Sequence, residues 1–239
     1  MLTIISREAA PGFPRDVFDR AYIEMAVKPV KTAEPQRAGD VRAEITGAAL
    51  AVVYRHRRGW EAGEELLALA RQQRSDRGTD WHYAAQTALF EFVVSLHSAF
   101  ESSFYGLYFA GAQLRPGGFP HVADDDSRRK VTPKSVVTEY EKQWPASGLT
   151  AELVKVKDSP FYDKLSRTRN VLAHRIAPGF EHRITLEGDS VETATEYEYE
   201  LVWRGEKVEA LVPDILAGTE ALLGDLWTQA AKFFVAASV

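Results

Sequence analysis

Residues 81–111 read WHYAAQTALFEFVVSLHSAFESSFYGLYFAG and carry the strongest helical pattern of the chain. The apolar side chains of this segment cover most of the circumference of a helix, which is typical of a central helix in a bundle. They are Ala84, Ala85, Ala88, Leu89, Phe92, Val93, Leu96, Phe100, Phe104 and Leu107. The segment therefore predicts a mainly α-helical protein whose other helices pack around this one.

Capping residues and apolar periodicity predict further helices on both sides of this segment. The predicted ranges are residues 14–28, 40–57, 66–74, 132–144, 149–157 and 213–236. Gly59 and Gly63 weaken the pattern between two of these ranges, because glycine lowers helix propensity. Residues 114–126 contain two prolines and two glycines and are expected to form a long loop.

Alternating side chains after Gly179 predict a small antiparallel sheet. Residues 182–186 and 193–201 would form a hairpin, and residues 208–212 would add a third strand. One face of this sheet carries Tyr197, Tyr199, Leu201 and Trp203. This face would either stack nucleic-acid bases or pack on a helix. The expected fold is a single domain over residues 1–239, an α-helical bundle with an N-terminal extension at 1–39 and a β insertion at 180–212 before the last helix.

Composition limits the kinds of site that the chain can build. The 239 residues include no cysteine, so disulfides and thiolate metal sites are excluded. Six scattered histidines do not suggest a zinc site, and neither a metal nor another cofactor is expected. The sequence shows no secretory leader and no uncharged apolar stretch of membrane-spanning length, which predicts a cytoplasmic protein without a membrane partner.

Charge is distributed so that a nucleic-acid contact would need a local basic patch. The formal net charge is −5 at pH 7. Basic residues nevertheless gather in four short segments, at 55–58, 71–77, 128–130 and 167–175. Each segment alone is interpreted as solvated surface, and only a fold that brings several together would change that interpretation.

Residues 159–176 predict a helix of about four turns with two distinct faces. Ser159 and Pro160 are typical of a helix start, and Pro178 prevents continuation. The apolar stripe consists of Phe161, Leu165, Leu172 and Ile176, and the polar stripe of Asp163, Arg167, Asn170 and His174. The plain interpretation of the polar stripe is a solvated face with an ion pair between Asp163 and Arg167.

The motif Arg169-Asn170-x-x-x-His174 in this helix resembles the signature of the HEPN superfamily, whose active members are metal-independent RNA nucleases. The resemblance covers the motif and the predicted helices around it, residues 79–176. The family pattern tolerates four to six residues between arginine and histidine, so both Arg167 and Arg169 fit. Arg169 is preferred because the adjacent Asn170 completes the motif.

The resemblance implies an endoribonuclease that cleaves RNA by attack of the substrate's own 2′-hydroxyl. His174 would transfer the proton, and Arg169 would bind the phosphate and its developing charge. Asn170 would orient His174 or a phosphate oxygen. Arg167 and Arg175 would be substrate-binding residues.

Glu101 is the remaining catalytic candidate. Some nucleases of this superfamily carry an acidic residue on a helix before the motif, so Glu101 would orient His174 or anchor Arg169. The alternative is structural, because Glu101 lies four residues after His97 and would pair with it at a helix seam.

The resemblance also implies partners. Two protomers would form a homodimer in which the motif helices face each other and bind RNA. A phage-defence or toxin setting would add an antitoxin or regulatory partner. The alternative function is a non-catalytic dimerisation, ligand-binding or nucleic-acid-binding module, in which Arg169 and His174 would form a structural hydrogen-bonded pair.

Overall fold

A computed structural model describes residues 5–27, 35–72, 80–122, 124–174, 181–186 and 197–237. A 3₁₀ helix at Ile5–Glu8 precedes α1 (Arg15–Val27), α2 (Pro35–Ala70), α3 (Trp81–Leu114), α4 (Asp125–Arg128), α5 (Pro133–Gln143), α6 (Gly148–Lys157) and α7 (Pro160–His174). Strands β1 (Glu181–Leu186), β2 (Tyr197–Trp203) and β3 (Glu206–Lys207) then lead into α8 (Val208–Ala236). The predicted fold class is confirmed: the protein is mainly α-helical with a small antiparallel sheet before its last helix.

Helix α3 lies at the centre of the fold, as its apolar circumference predicts. It packs along α2 and also contacts α5 and α7, while α8 packs against α1, α2 and α6. Five of its large side chains are fully or almost fully buried: Phe92, Leu96, Phe100, Phe104 and Leu107. The predicted long loop after α3 is also anchored in this core, because Phe119 is buried against the rings of Tyr108 and Tyr140.

Helix α2 is continuous, so the predicted weakening at Gly59 and Gly63 does not interrupt it. A Cβ atom on Gly59 would lie 2.6 Å from Leu96 Cδ2, and one on Gly63 would lie 3.0 Å from Phe92 Cε2. Both glycines therefore face α3 and permit a close approach of the two helices. The burial gained at this contact offsets the helix propensity that glycine loses.

Two glycines of α2 are expected to respond oppositely to alanine. Gly47→Ala should stabilise the protein by up to about 1 kcal/mol, because a Cβ there meets no described atom within 4 Å and alanine is the better helix former. Gly59→Ala should destabilise it by about 1–3 kcal/mol, because the new methyl group overlaps the buried Leu96. Urea unfolding of both variants measures the difference. Equal shifts would show that α2 and α3 do not approach closely at Gly59.

The sheet has the strand order β1-β2-β3, with both pairs antiparallel. Arg204 and Gly205 have φ values of 49° and 82° and form the two-residue turn between β2 and β3. Leu201 and Trp203 are buried in the core, which supports the packing interpretation of this face. The side chains of Tyr197 and Tyr199 lie outside the described residues.

The predicted third strand at residues 208–212 is wrong. These residues form the first turns of α8, and Pro213 lies inside that helix instead of opening it. Val208, Leu211, Val212 and Ile215 are all buried. Their i, i+3, i+4 and i+7 spacing places them on one helical face, so helical burial outweighs the β propensity of valine.

No helix in the described ranges combines the length and apolar character that a membrane crossing requires.

Candidate functional site

Helix α7, which carries the motif, packs against the central helix α3. Ser159 caps the helix, since its Oγ accepts a hydrogen bond from the Tyr162 N–H at 3.0 Å. α7 packs on α3, and both Leu165 and Leu172 are buried. Leu165 and Leu172 of the predicted apolar face are therefore buried as expected, while Phe161 packs beside Gly218 of α8 and Ile176 lies outside the described residues.

Three of the four residues of the polar stripe of α7 are described, and these three face solvent. Asp163, Arg167 and Asn170 are all exposed. Arg167 Nη2 lies 2.9 Å from Asp163 Oδ2, which is the i,i+4 ion pair that the plain interpretation predicts. The side chain of His174 and the whole of Arg175 lie outside the described residues.

Arg169 differs from Arg167 in both position and partners. Its side chain is half-buried on the seam side of α7, and its Nη1 donates a hydrogen bond to Asn170 Oδ1 at 2.9 Å. The Nε group is buried and has no hydrogen-bond partner in the described part of the chain. The two arginines that the motif leaves open are thus distinguished: Arg167 belongs to the exposed stripe, and Arg169 points to the seam.

His97 lies at the opposite side of this seam. Its ring is buried and stacks on Tyr162 with 5.4 Å between centroids. Burial lowers the pKa of His97, nearby Glu101 raises it, and the positive charge of Arg169 lowers it. Burial is the largest of these causes, so the neutral form of His97 is favoured.

Glu101 is partly exposed to solvent and lies next to the His97 ring. Its Oε2 is 3.6 Å from His97 Nδ1, which is too long for a hydrogen bond, and its side chain is 40% exposed. Burial raises the pKa of Tyr162, and the charge of Glu101 raises it further while Arg169 opposes this. The charges of Glu101 and Arg169 thus both act on the His97–Tyr162 stack, and Asn170 is hydrogen-bonded to Arg169.

Two half-buried cations stand out by their lack of an acidic partner. The half-buried arginine and lysine side chains in the described ranges are Arg55, Arg58, Arg128, Lys157 and Arg169. Arg58 pairs with Glu91, Arg128 with Glu44 and Lys157 with Asp158. Arg55 and Arg169 have no carboxylate oxygen within 4.0 Å among the described residues. An uncompensated charge that is partly removed from water favours an anionic ligand.

Arg55 is a residue of this region that the motif did not indicate. Its Nη1 donates to the Ser98 carbonyl at 3.0 Å and to Ser102 Oγ at 2.5 Å. Ser98 and Ser102 occupy the same stretch of α3 as His97 and Glu101. Arg55 from α2 and Arg169 from α7 therefore approach the same stretch of the central helix.

A groove joins Arg55 to a second basic segment. It has a volume of about 780 Å³ and lies between α2, α3 and the start of α5. Arg55, Glu101, Arg128 and Arg129 line it. The fold thus brings Arg55 to the same groove as Arg128 and Arg129, and the carboxylates of Glu44 and Glu101 also line this groove.

No group of three or more His, Asp or Glu side chains in the described ranges is arranged to hold a metal ion. No family model, curated protein or solved structure matches this chain.

Proposed function

We propose that this protein is a metal-independent endoribonuclease whose active site contains Arg169, His174, Asn170 and Glu101. The proposal rests on the environment of the Arg169 side chain. Its guanidinium is half-buried without a carboxylate partner among the described residues, and it lies on the helix that ends at His174.

The surroundings of Arg169 suit a phosphate ligand. Asn170 engages only Nη1, so Nη2 remains for a phosphate oxygen. Charge-assisted bonds between arginine and phosphate are stronger than neutral ones, and they strengthen further as negative charge develops in the transition state. Arg167 is less suited to this role because both oxygens of Asp163 already bind its Nε and Nη2.

His174 would supply the proton transfer. A histidine of ordinary pKa gains or loses a proton near pH 7, so it can take the proton of the attacking 2′-hydroxyl or give one to the leaving 5′-oxygen. Positions 169 and 174 lie about 140° apart around the helix axis. Glu101, on the neighbouring helix, would orient the histidine or steady Arg169.

A two-fold homodimer is part of this proposal. One protomer offers one Arg–His set, and the exposed stripe residues Asp163, Arg167 and Asn170 would face their symmetry mates. Facing stripes would bring His174 from two helices to one strand of RNA, and each Arg169 would reach that strand from the edge of the α3–α7 seam. Light scattering that finds a monomer at tens of micromolar would contradict this arrangement.

The second candidate is a non-catalytic binding or dimerisation module. The His97–Tyr162 stack and the Asp163–Arg167 pair favour it, because both give polar residues of this region a structural role. Incubation of the purified protein with RNA in excess EDTA separates the two functions, since only the nuclease cuts. Growth arrest on expression, relieved by His174→Ala, would support a toxin or phage-defence role for the nuclease.

A further inference from the structure

The groove between α2, α3 and the start of α5 has positive charge that the protein itself does not neutralise. Arg128 pairs with Glu44 at 2.8 Å, and the Tyr105 hydroxyl donates to the other oxygen of Glu44 at 2.8 Å. Both charges of that pair are thus committed. The charges of Arg55 and Arg129 are less fully neutralised.

Arg55 is held in a fixed orientation at the wall of this groove. Its two hydrogen bonds to α3 both use Nη1, so the remaining N–H groups of the guanidinium have no partner among the described residues. Neutral oxygens accept both bonds, so neither removes its charge. A fixed guanidinium with free donors loses little conformational freedom when it binds an anion.

Arg129 adds a second positive charge at the rim. Its side chain is 81% exposed, and its nearest carboxylate is Asp126 at 3.5 Å in an exposed pair of little strength. Two acidic residues line the groove, Glu44 and Glu101. Glu44 is paired with Arg128, and Glu101 lies at the end towards the α3–α7 seam. Positive charge therefore dominates away from the candidate active site.

We propose that this groove binds a backbone phosphate of the same single-stranded RNA whose scissile phosphate is held by Arg169. This inference rests on the proposed function. A polyanion such as RNA can contact both cations, because Arg55 and Arg169 approach one stretch of α3 and neither is paired with a described carboxylate. The volume of about 780 Å³ accommodates a nucleotide-sized group. Arg55 is the binding residue, and Arg129 is the outer contact.

Binding of a short 2′-O-methyl RNA tests the groove separately from catalysis, because this strand has no 2′-hydroxyl to attack the phosphate. Arg55→Gln should weaken binding about tenfold, the value of one charge-assisted contact. It should also reduce the slope of log affinity against log salt by about 0.7, since one phosphate contact is lost. Arg20→Gln is the matched control, because Arg20 is an exposed arginine on α1 that does not line the groove.

Arg129→Gln provides a second variant if the loss of Arg55 unfolds the protein. Its exposed side chain contributes little to stability, and the same reduction in salt slope is expected. If wild type cuts unmodified RNA while both variants bind RNA as tightly as wild type, the phosphate site in the groove is rejected and the proposed function stands. If the two variants bind the RNA more weakly than wild type, and wild type cuts no RNA, the phosphate site in the groove is supported and the nuclease function is rejected. Absence of binding by wild type would reject both.

Discussion

His174→Ala and Arg169→Ala are each expected to lower RNA cleavage by a factor of about 10²–10⁴, the range for loss of general acid–base catalysis or of a transition-state charge contact. Arg169 is half-buried but forms no ion pair with a described residue, so its removal should change the free energy of unfolding by no more than about 1 kcal/mol. Single-turnover cleavage of a labelled RNA and urea unfolding of the same preparations measure both effects.

Two control variants make this result specific. Arg167→Ala removes a cation that is exposed and paired with Asp163, so a loss of less than tenfold is expected. His82→Ala removes an exposed histidine of α3 and should retain wild-type cleavage. If Arg167→Ala loses as much cleavage activity as His174→Ala, the phosphate-binding role belongs to Arg167. Unfolding of His174→Ala would instead favour the structural role of the motif.

Acidification from pH 7 to pH 4 is expected to remove about 3 kcal/mol of folding stability through His56. This side chain is fully buried, and burial lowers its pKa from 6.5 to about 4. The unfolded chain therefore binds a proton that the folded chain resists. The stability contributed by neutral His56 is complete above pH 6.5 and is lost as the pH falls towards 4.

His56→Leu tests this linkage because leucine keeps apolar contact with Phe13 and cannot titrate. Urea unfolding at pH 7 and pH 4 should show a smaller loss for the variant than for wild type, by about 3 kcal/mol. The lowered pKa of His97 acts in the same direction in both proteins, so the difference isolates His56. Identical pH dependence of the two proteins would show that His56 is accessible to water in the folded state.

Local patterns were enough to predict the helices that hold the site. The apolar circumference of α3 and the two faces of α7 follow from residue spacing alone, and Leu165 and Leu172 are buried as that spacing requires. Local propensity failed where a distant contact decides the outcome. Gly59 is tolerated in α2 because Leu96 of α3 occupies the space of its missing side chain.

The same distinction applies to the candidate site. The motif locates Arg169 and Asn170 on one helix, but their different exposure depends on how α7 is rotated against α3. Arg55 could not be assigned from the motif, because its position depends on the packing of α2 beside α3. The polar residue Ser102 in a mostly apolar helix was the available signal, because its hydroxyl oxygen accepts a hydrogen bond from Arg55.

Cleavage of RNA by purified protein in excess EDTA, followed by analysis of the product ends, tests the central claim most directly. Attack by the 2′-hydroxyl with proton transfer by His174 predicts activity that survives EDTA. One product should end in a 2′,3′-cyclic phosphate and the other should begin with a 5′-hydroxyl. A parallel preparation of His174→Ala, purified identically, should cleave at least about 10²-fold more slowly and thereby exclude a contaminating nuclease. A requirement for added Mg²⁺, or a 5′-phosphate on the second product, would contradict the mechanism.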